Sequence, residues 1–143
     1  MRLETPLIEL AREHVAIVNG RPDMRVRYAV YDLPGGITPC ITWAEPSSEG
    51  TEFAVFLSRH PERLLVSLLQ LYPHEILSHF RPEEICDAYI VGMIEHDGTF
   101  HTQRSECTER GESDLLLATS VLQARKTKRL AIGEAEDTAS ASN

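Results

Sequence analysis

The run Leu64-Leu65-Val66-Ser67-Leu68-Leu69-Gln70-Leu71-Tyr72 constrains this chain more than any other stretch. Wound at about 100° per residue as a helix over 61–72, its polar members Arg63, Ser67 and Gln70 fall on one narrow stripe. Everything else has to leave water. A single domain packs one side of such a helix into its own core, and the remaining side calls for a second molecule. Each further buried leucine contributes ~1.5–3 kcal/mol, so two or three at an interface outweigh the ordering of their side chains. The expectation is association through Leu64, Leu65, Leu68, Leu69 and Tyr72.

The 143 residues make one ordinary domain, long enough to bury roughly two-thirds of the unfolded surface in one core. No stretch approaches the roughly 20 apolar residues of a membrane span, and Met1-Arg2-Leu3-Glu4 lacks the basic-then-apolar start of a signal peptide. A cytoplasmic protein without a membrane partner is expected. Cys40, Cys86 and Cys107 form no Cys-x-x-Cys pair, and their odd number points to reduced thiols.

The net charge of −8 is unevenly spread. Residues 83–114 hold nine acids against Arg104 and Arg110, whereas Arg125, Lys126, Lys128 and Arg129 follow as a basic cluster. Direct nucleic-acid binding needs a basic face that releases counterions, and this balance argues against it. Basic partners fit the charge better than nucleic acid does, and a well-solvated acidic surface is the favoured account of it.

Thr5 and Pro6 open a first helix as N-cap and first helical residue. Leu7, Leu10, Ala11, His14 and Val18 form its apolar stripe, and Asn19-Gly20 ends it. From Arg25 the period becomes two, with Val26, Tyr28 and Val30 on one face of a strand. Asp32 to Gly36 turns the chain into a second strand with Ile37, Ile41 and Trp43, where Pro39 signals an edge or a bulge. Pro46 to Gly50 turns it again into a third strand marked by Phe53, Val55 and Leu57. Pro73 interrupts the leucine-rich helix, and Ile76, Leu77 and Phe80 give a further turn or two before Pro82. Asp97-Gly98 between Tyr89–Glu95 and Thr99–Arg104 is a hairpin signal. Ser113 is read as the cap of a last helix. Residues 1–132 thus form one α+β domain, and the small, polar residues 133–143 read as a disordered tail.

Chemical motifs are weak. His74 and His79 stand at i and i+5 and diverge by about 140°, so they cannot share one ion on an intact helix. A two-residue turn at Asp97-Gly98 would place His96 and His101 on one face as diagonal neighbours, but no third ligand is in sight. Cys86 and Cys107 sit among acids, which raises a thiol's pKa and weakens it as a nucleophile. Arg25 and Arg27 either meet a partner's acids or pair across the sheet, the second being favoured. There is no nucleophile elbow, phosphate loop or dinucleotide turn. No catalytic residue, metal or cofactor is expected, and an enzyme would need convergent titratable groups that the sequence does not nominate.

The order is helix, three-stranded antiparallel meander, helix, β-hairpin, helix, for which a sheet with helices packed on it is the economical solution. This order resembles that of the class I chaperones of bacterial type III secretion, over about residues 5–130. Ile94-Glu95-His96-Asp97-Gly98-Thr99-Phe100 is similar to that family's turn between its last two strands, and the chain shares its small size and acidity. Where the family's first helix ends in Leu-Gly-Leu, this chain has Val18-Asn19-Gly20. The resemblance implies a cytoplasmic homodimer, paired partly through the central helix, that holds an unfolded segment of a secreted effector protein. The effector face would be the sheet and first helix, with Val26, Tyr28, Ile41, Trp43 and Phe53 as contacts. The acidity supports a different reading, an inhibitor whose residues 83–114 mimic phosphates and block a nucleic-acid-binding partner.

Overall fold

Alternation along the second and third strands decides the layers. Cys40 and Ala44 face one way with Phe53, Val55 and Leu57, while Ile41 and Trp43 face the other with Ala54 and Phe56. A strand apolar on both sides needs cover on both sides. The computed structural model describes residues 3–33, 36–122 and 124, and supplies that cover with helices. Pro34, Gly35, the basic residues Arg125, Lys126, Lys128 and Arg129, the domain boundary at 132 and the tail from 133 lie outside the described residues.

The fold is α+β. One five-stranded antiparallel sheet runs in sequential order β1-β2-β3-β4-β5, with β1 Val26–Leu33, β2 Gly36–Pro46, β3 Gly50–Leu57, β4 Ala88–Glu95 and β5 Phe100–Cys107. The meander and the hairpin therefore join through the β3–β4 pairing, Gly50↔Glu95 to Leu57↔Ala88. Helix α1 (Thr5–Gly20) crosses β2, β3 and β4 on one face. There Leu7, Ala11, Val15 and Val18 meet Leu115 and Ala118 of α5, which is helical over 109–122 and at 124. Three short helices, α2 (Pro61–Leu68), α3 (Pro73–His79) and α4 (Pro82–Ile85), cover the other face with Leu64, Leu68, Ile76, Leu77 and Ile85.

Several local expectations shift, each for a physical reason. The expected single helix over 61–72 is regular only to Leu68 and gives way to turns, with Leu71 N still donating to Ser67 O at 2.8 Å; it cannot run on through Tyr72, which precedes Pro73 and is held extended at φ −76°, ψ 156°. Glu4, not Thr5, is the N-cap of α1, and its carbonyl accepts from Ile8 N at 2.9 Å. Pro39 lies in an interior strand, not at an edge. It is tolerated because β3 ends beside it: that ladder begins at Cys40↔Leu57, and only Ser58 N reaches Pro39 O.

The hairpin is one residue longer than expected. Gly98 N donates to Glu95 O and Glu95 N donates to Thr99 O, both at 2.9 Å, which closes a three-residue loop with Gly98 at φ 92°. His101 therefore stands opposite Met93. Helix α5 starts at residue 109, so Ser113 is inside it and Thr108 is its cap, with Gly111 N donating to Thr108 Oγ1 at 3.1 Å. Gly111 is required by contact, since a Cβ there would lie 2.0 Å from Asp87 O.

His14 ties α1 to the entry of β1. It is buried, and its Nε2 lies 2.6 Å from Met24 O, a pure acceptor, so Nε2 carries the proton. Nδ1 is buried with no hydrogen-bond partner. Burial, aided by Arg27, holds the pKa below its ordinary value despite the bond to Met24 O. The fold thus prefers neutral His14, and stability present above pH ~6.5 is lost as the unfolded chain takes up a proton below it, by at most ~1.4 kcal/mol per pH unit. Chemical denaturation between pH 7.5 and 5 is expected to show this loss, and His14→Gln to flatten that part of the profile.

Candidate binding surface

Large apolar side chains remain in water on β1 and on α2 with the turn that follows it. Leu69 is 81% exposed, Val66 62%, Val30 52%, Tyr28 50% and Tyr72 43%. Their placement follows from two periods. Val26, Tyr28 and Val30 share the face of β1 that carries Val26 toward the α2 core, with Tyr28 opposite buried Ile41 on β2. On α2, Leu64 and Leu68 point into the core, so Val66 and Leu69 point away from it.

A groove of about 460 Å³ opens beside Leu69 and Tyr72. Val26, Trp43, Leu68, Leu71 and Tyr72 form its apolar lining, with Asp23, Arg25 and Gln70 among the polar residues. Tyr72 stands perpendicular to Trp43 at 5.8 Å between ring centroids and stacks on His74 at 6.0 Å. Its backbone is pinned as well, since Tyr72 N donates to Glu75 Oε1 at 3.1 Å. The groove wall is thus preorganised by ring contacts and a helix start, not left to loop motion.

Of the ten residues expected to meet a partner, the structure leaves five on this surface. Leu69, Tyr72 and Tyr28 are exposed, and Leu65 and Val26 are half-buried. Leu64, Leu68, Ile41, Trp43 and Phe53 are enclosed within the fold, because the sheet faces expected to be open are covered by helices. Val30 and Val66 were not singled out. Val30 continues the Val26-Tyr28 alternation, and Val66 stands three residues from both Arg63 and Leu69, on the solvent side of the helical wheel.

Several charged groups are engaged within the chain. Arg25 pairs with Glu45 at 3.2 Å across the sheet and Arg27 with Glu13 on α1 at 3.0 Å. Within the acidic segment, Asp114 holds Arg59 through two contacts of 3.0 and 3.1 Å, and His101 Nε2 lies 3.0 Å from Glu95. His96 instead contacts Ser48 O at 3.0 Å, so the two hairpin histidines have separate partners. Tyr89 OH donates to Glu106, whose same oxygen accepts from Arg104 Nε and Nη2 at 3.2 and 2.9 Å. The Tyr89 and Arg104 contacts hold the Glu106 carboxyl below its usual range, and burial foremost pushes the Tyr89 phenol up. Among the described residues no three metal-ligating side chains converge, and no helix is long and apolar enough to cross a membrane.

The chain matches no family model, no curated protein and no solved structure, which leaves geometry as the ground for a functional reading.

The thiols complete the chemical picture. Burial, more than the neighbouring acids Asp87, Glu106 and Glu83, pushes Cys86 up to about 12, and Cys40 is raised further by burial. Cys107 is exposed, yet partial burial with Glu112 and Glu4 raises it too. Native protein at pH 7.5 is expected to take up iodoacetamide slowly and at Cys107 alone, with Cys40 and Cys86 labelled only after unfolding; peptide mass mapping reads the sites.

Proposed function

We propose that this is a non-enzymatic, cytoplasmic binding protein that self-associates through the exposed side of α2 and holds an unfolded apolar segment of a partner protein, in the manner of a dimeric secretion chaperone. The observation that carries the reading is the exposure of Leu69, Val66 and Tyr72 in and after α2 and of Tyr28 and Val30 on β1, whose Val26 shares a groove with Leu69 and Tyr72. Exposed apolar surfaces of this kind mark protein interfaces. The adjoining groove of about 460 Å³ has the scale of a side-chain pocket and an aromatic wall in Tyr72 and Trp43. An extended chain would lay its apolar side chains there, and Asp23, Arg25 and Gln70 would meet its backbone.

The acidic-mimic reading draws less support. A phosphate mimic needs carboxylates that face a basic partner, and three of the nine acids in 83–114, Glu95, Glu106 and Asp114, are paired inside the chain. Salt separates the two readings. A contact between apolar surfaces of a −8 protein survives or tightens above about 0.3 M salt, while a carboxylate mimic's complex dissociates.

Sedimentation velocity at micromolar concentration is expected to give twice the 16.1 kDa chain mass. Leu69→Asp removes apolar burial from each side of a two-fold interface, a loss of ~3–6 kcal/mol in all, or about two to four orders of magnitude in dissociation constant. Because Leu69 is 81% exposed, the variant is expected to match the wild-type melting temperature at concentrations where both are monomeric, and to fall below it where the wild type is a dimer. A wild type that sediments as a monomer up to the highest soluble concentration defeats the self-association.

A further inference from the structure

The two edges of the sheet are built differently. β5 presents mostly exposed side chains along Phe-His-Thr-Gln-Arg-Ser-Glu-Cys and carries a bulge, since Val91 pairs with Arg104 but Gly92 with Thr102, leaving Gln103 unmatched. Charges and bulges are the usual guards against strand addition. β1 has no bulge, and its charged members are Arg27 and Asp32. Its pairing with β2 is regular from Val26↔Trp43 to Leu33↔Gly36, and it contains no proline or lysine. Arg25 and Arg27, the cations beside this edge, are already neutralised by Glu45 and Glu13.

The direction of the free backbone groups follows from one bond. Arg25 O accepts from Ala44 N at 2.9 Å, so Arg25 faces β2, and by alternation so do Arg27 and Ala29. The amides and carbonyls of Val26, Tyr28 and Val30 therefore point outward, from the residues whose side chains include half-exposed Tyr28 and Val30.

We propose that β1 pairs antiparallel with β1 of a second copy about a two-fold axis at Ala29, continuing the two sheets into one of ten strands. This deepens the self-association proposed above and rests on it. The register sets Tyr28 opposite Val30 of the copy and Val30 opposite its Tyr28, each pair exchanging both backbone hydrogen bonds. Both pairs join an aromatic ring to a β-branched side chain on the α2 side of the sheet. The spacing agrees with the helix contact. From β2 across the joint to β2 of the copy is three strand spacings, roughly 14 Å, little more than the roughly 10–12 Å diameter of a helix. The two α2 helices over these strands would then face one another, with Tyr28, Val30, Val66 and Leu69 of both copies filling the gap. A second copy suits the site because it brings the same exposed apolar side chains, Tyr28, Val30, Val66 and Leu69, in a register that pairs them.

Amide hydrogen exchange by NMR tests the pairing on the full chain. At dimer concentrations the Tyr28 and Val30 amides are expected to be protected, and to exchange freely on dilution to monomer, while Arg27 and Ala29 stay protected throughout. Val30→Pro deletes an outward amide that makes no bond within the subunit, so it is expected to keep the fold and weaken dimerisation by more than about a hundredfold. Tyr28→Lys, a guard residue at the same edge, is the second variant if the proline disturbs folding. Unprotected Tyr28 and Val30 amides in a dimer that Leu69→Asp dissociates overturn the strand pairing and leave the α2 interface standing. A monomeric wild type overturns both, and one that instead gains protection at Tyr28 and Val30 only on adding an extended apolar peptide assigns the edge to a foreign strand.

Discussion

Cys40 and Ile41 are neighbours in sequence and lie in different hydrophobic cores, one beneath α1 and α5 and the other beneath α2, α3 and α4. The rest of the architecture depends on this two-sided burial. On β3 only Glu52 is exposed. A sheet so apolar cannot leave either face to water, because each buried side chain contributes ~1.5–3 kcal/mol that exposure would forfeit. Three layers are the outcome. The central layer takes most of the large side chains, including Phe53, Phe56 and Tyr89, and the helices follow as covers.

Covering both faces brings polar groups into the interior, and three of them find partners that fix joints between layers. Ser58 Oγ donates to Ile85 O at 2.8 Å, binding the end of β3 to α4. Arg59 reaches Asp114 on α5 with two contacts, so the residue next to Ser58 ties the same loop to the opposite layer. His14 anchors α1 to the entry of β1. A buried polar group left unpaired costs about 1–3 kcal/mol, so these contacts specify where each helix sits more than they add stability.

The sequence carried the layers in its periods. Val26, Tyr28 and Val30 were legible as one face of a strand, and Leu7, Ala11, His14 and Val18 as one face of a helix, because periods of 2 and 3.6 are local properties. What was not legible depended on contacts between distant residues. Nothing near Ser113 reveals that Gly111 must lie against Asp87 O, which moves the start of α5. Pro39 reads as an edge signal until the end of β3 is known to lie beside it. The candidate surface divides the same way. Surplus apolarity in 61–72 was visible, but burial of Leu64 and Leu68 rather than Val66 and Leu69 depends on which side of α2 meets Ile41 and Phe56. The covering of Ile41, Trp43 and Phe53 was hidden for the same reason.

What remains in water is therefore not leftover core. Leu64 and Leu68 already fill the α2 side of the interior, and Tyr72 has its ring contact with Trp43 while staying 43% exposed. Polar residues at 66 and 69 would leave every described core contact intact, so the isolated subunit does not need Val66 or Leu69 for its fold. Their exposure works against solubility, and the net charge of −8 works the other way at long range. Charge repulsion fades within about 8 Å at physiological ionic strength, while apolar contact acts only on touching. A surface with this combination repels at a distance and adheres where shapes match, which favours one well-fitted partner geometry over indiscriminate aggregation.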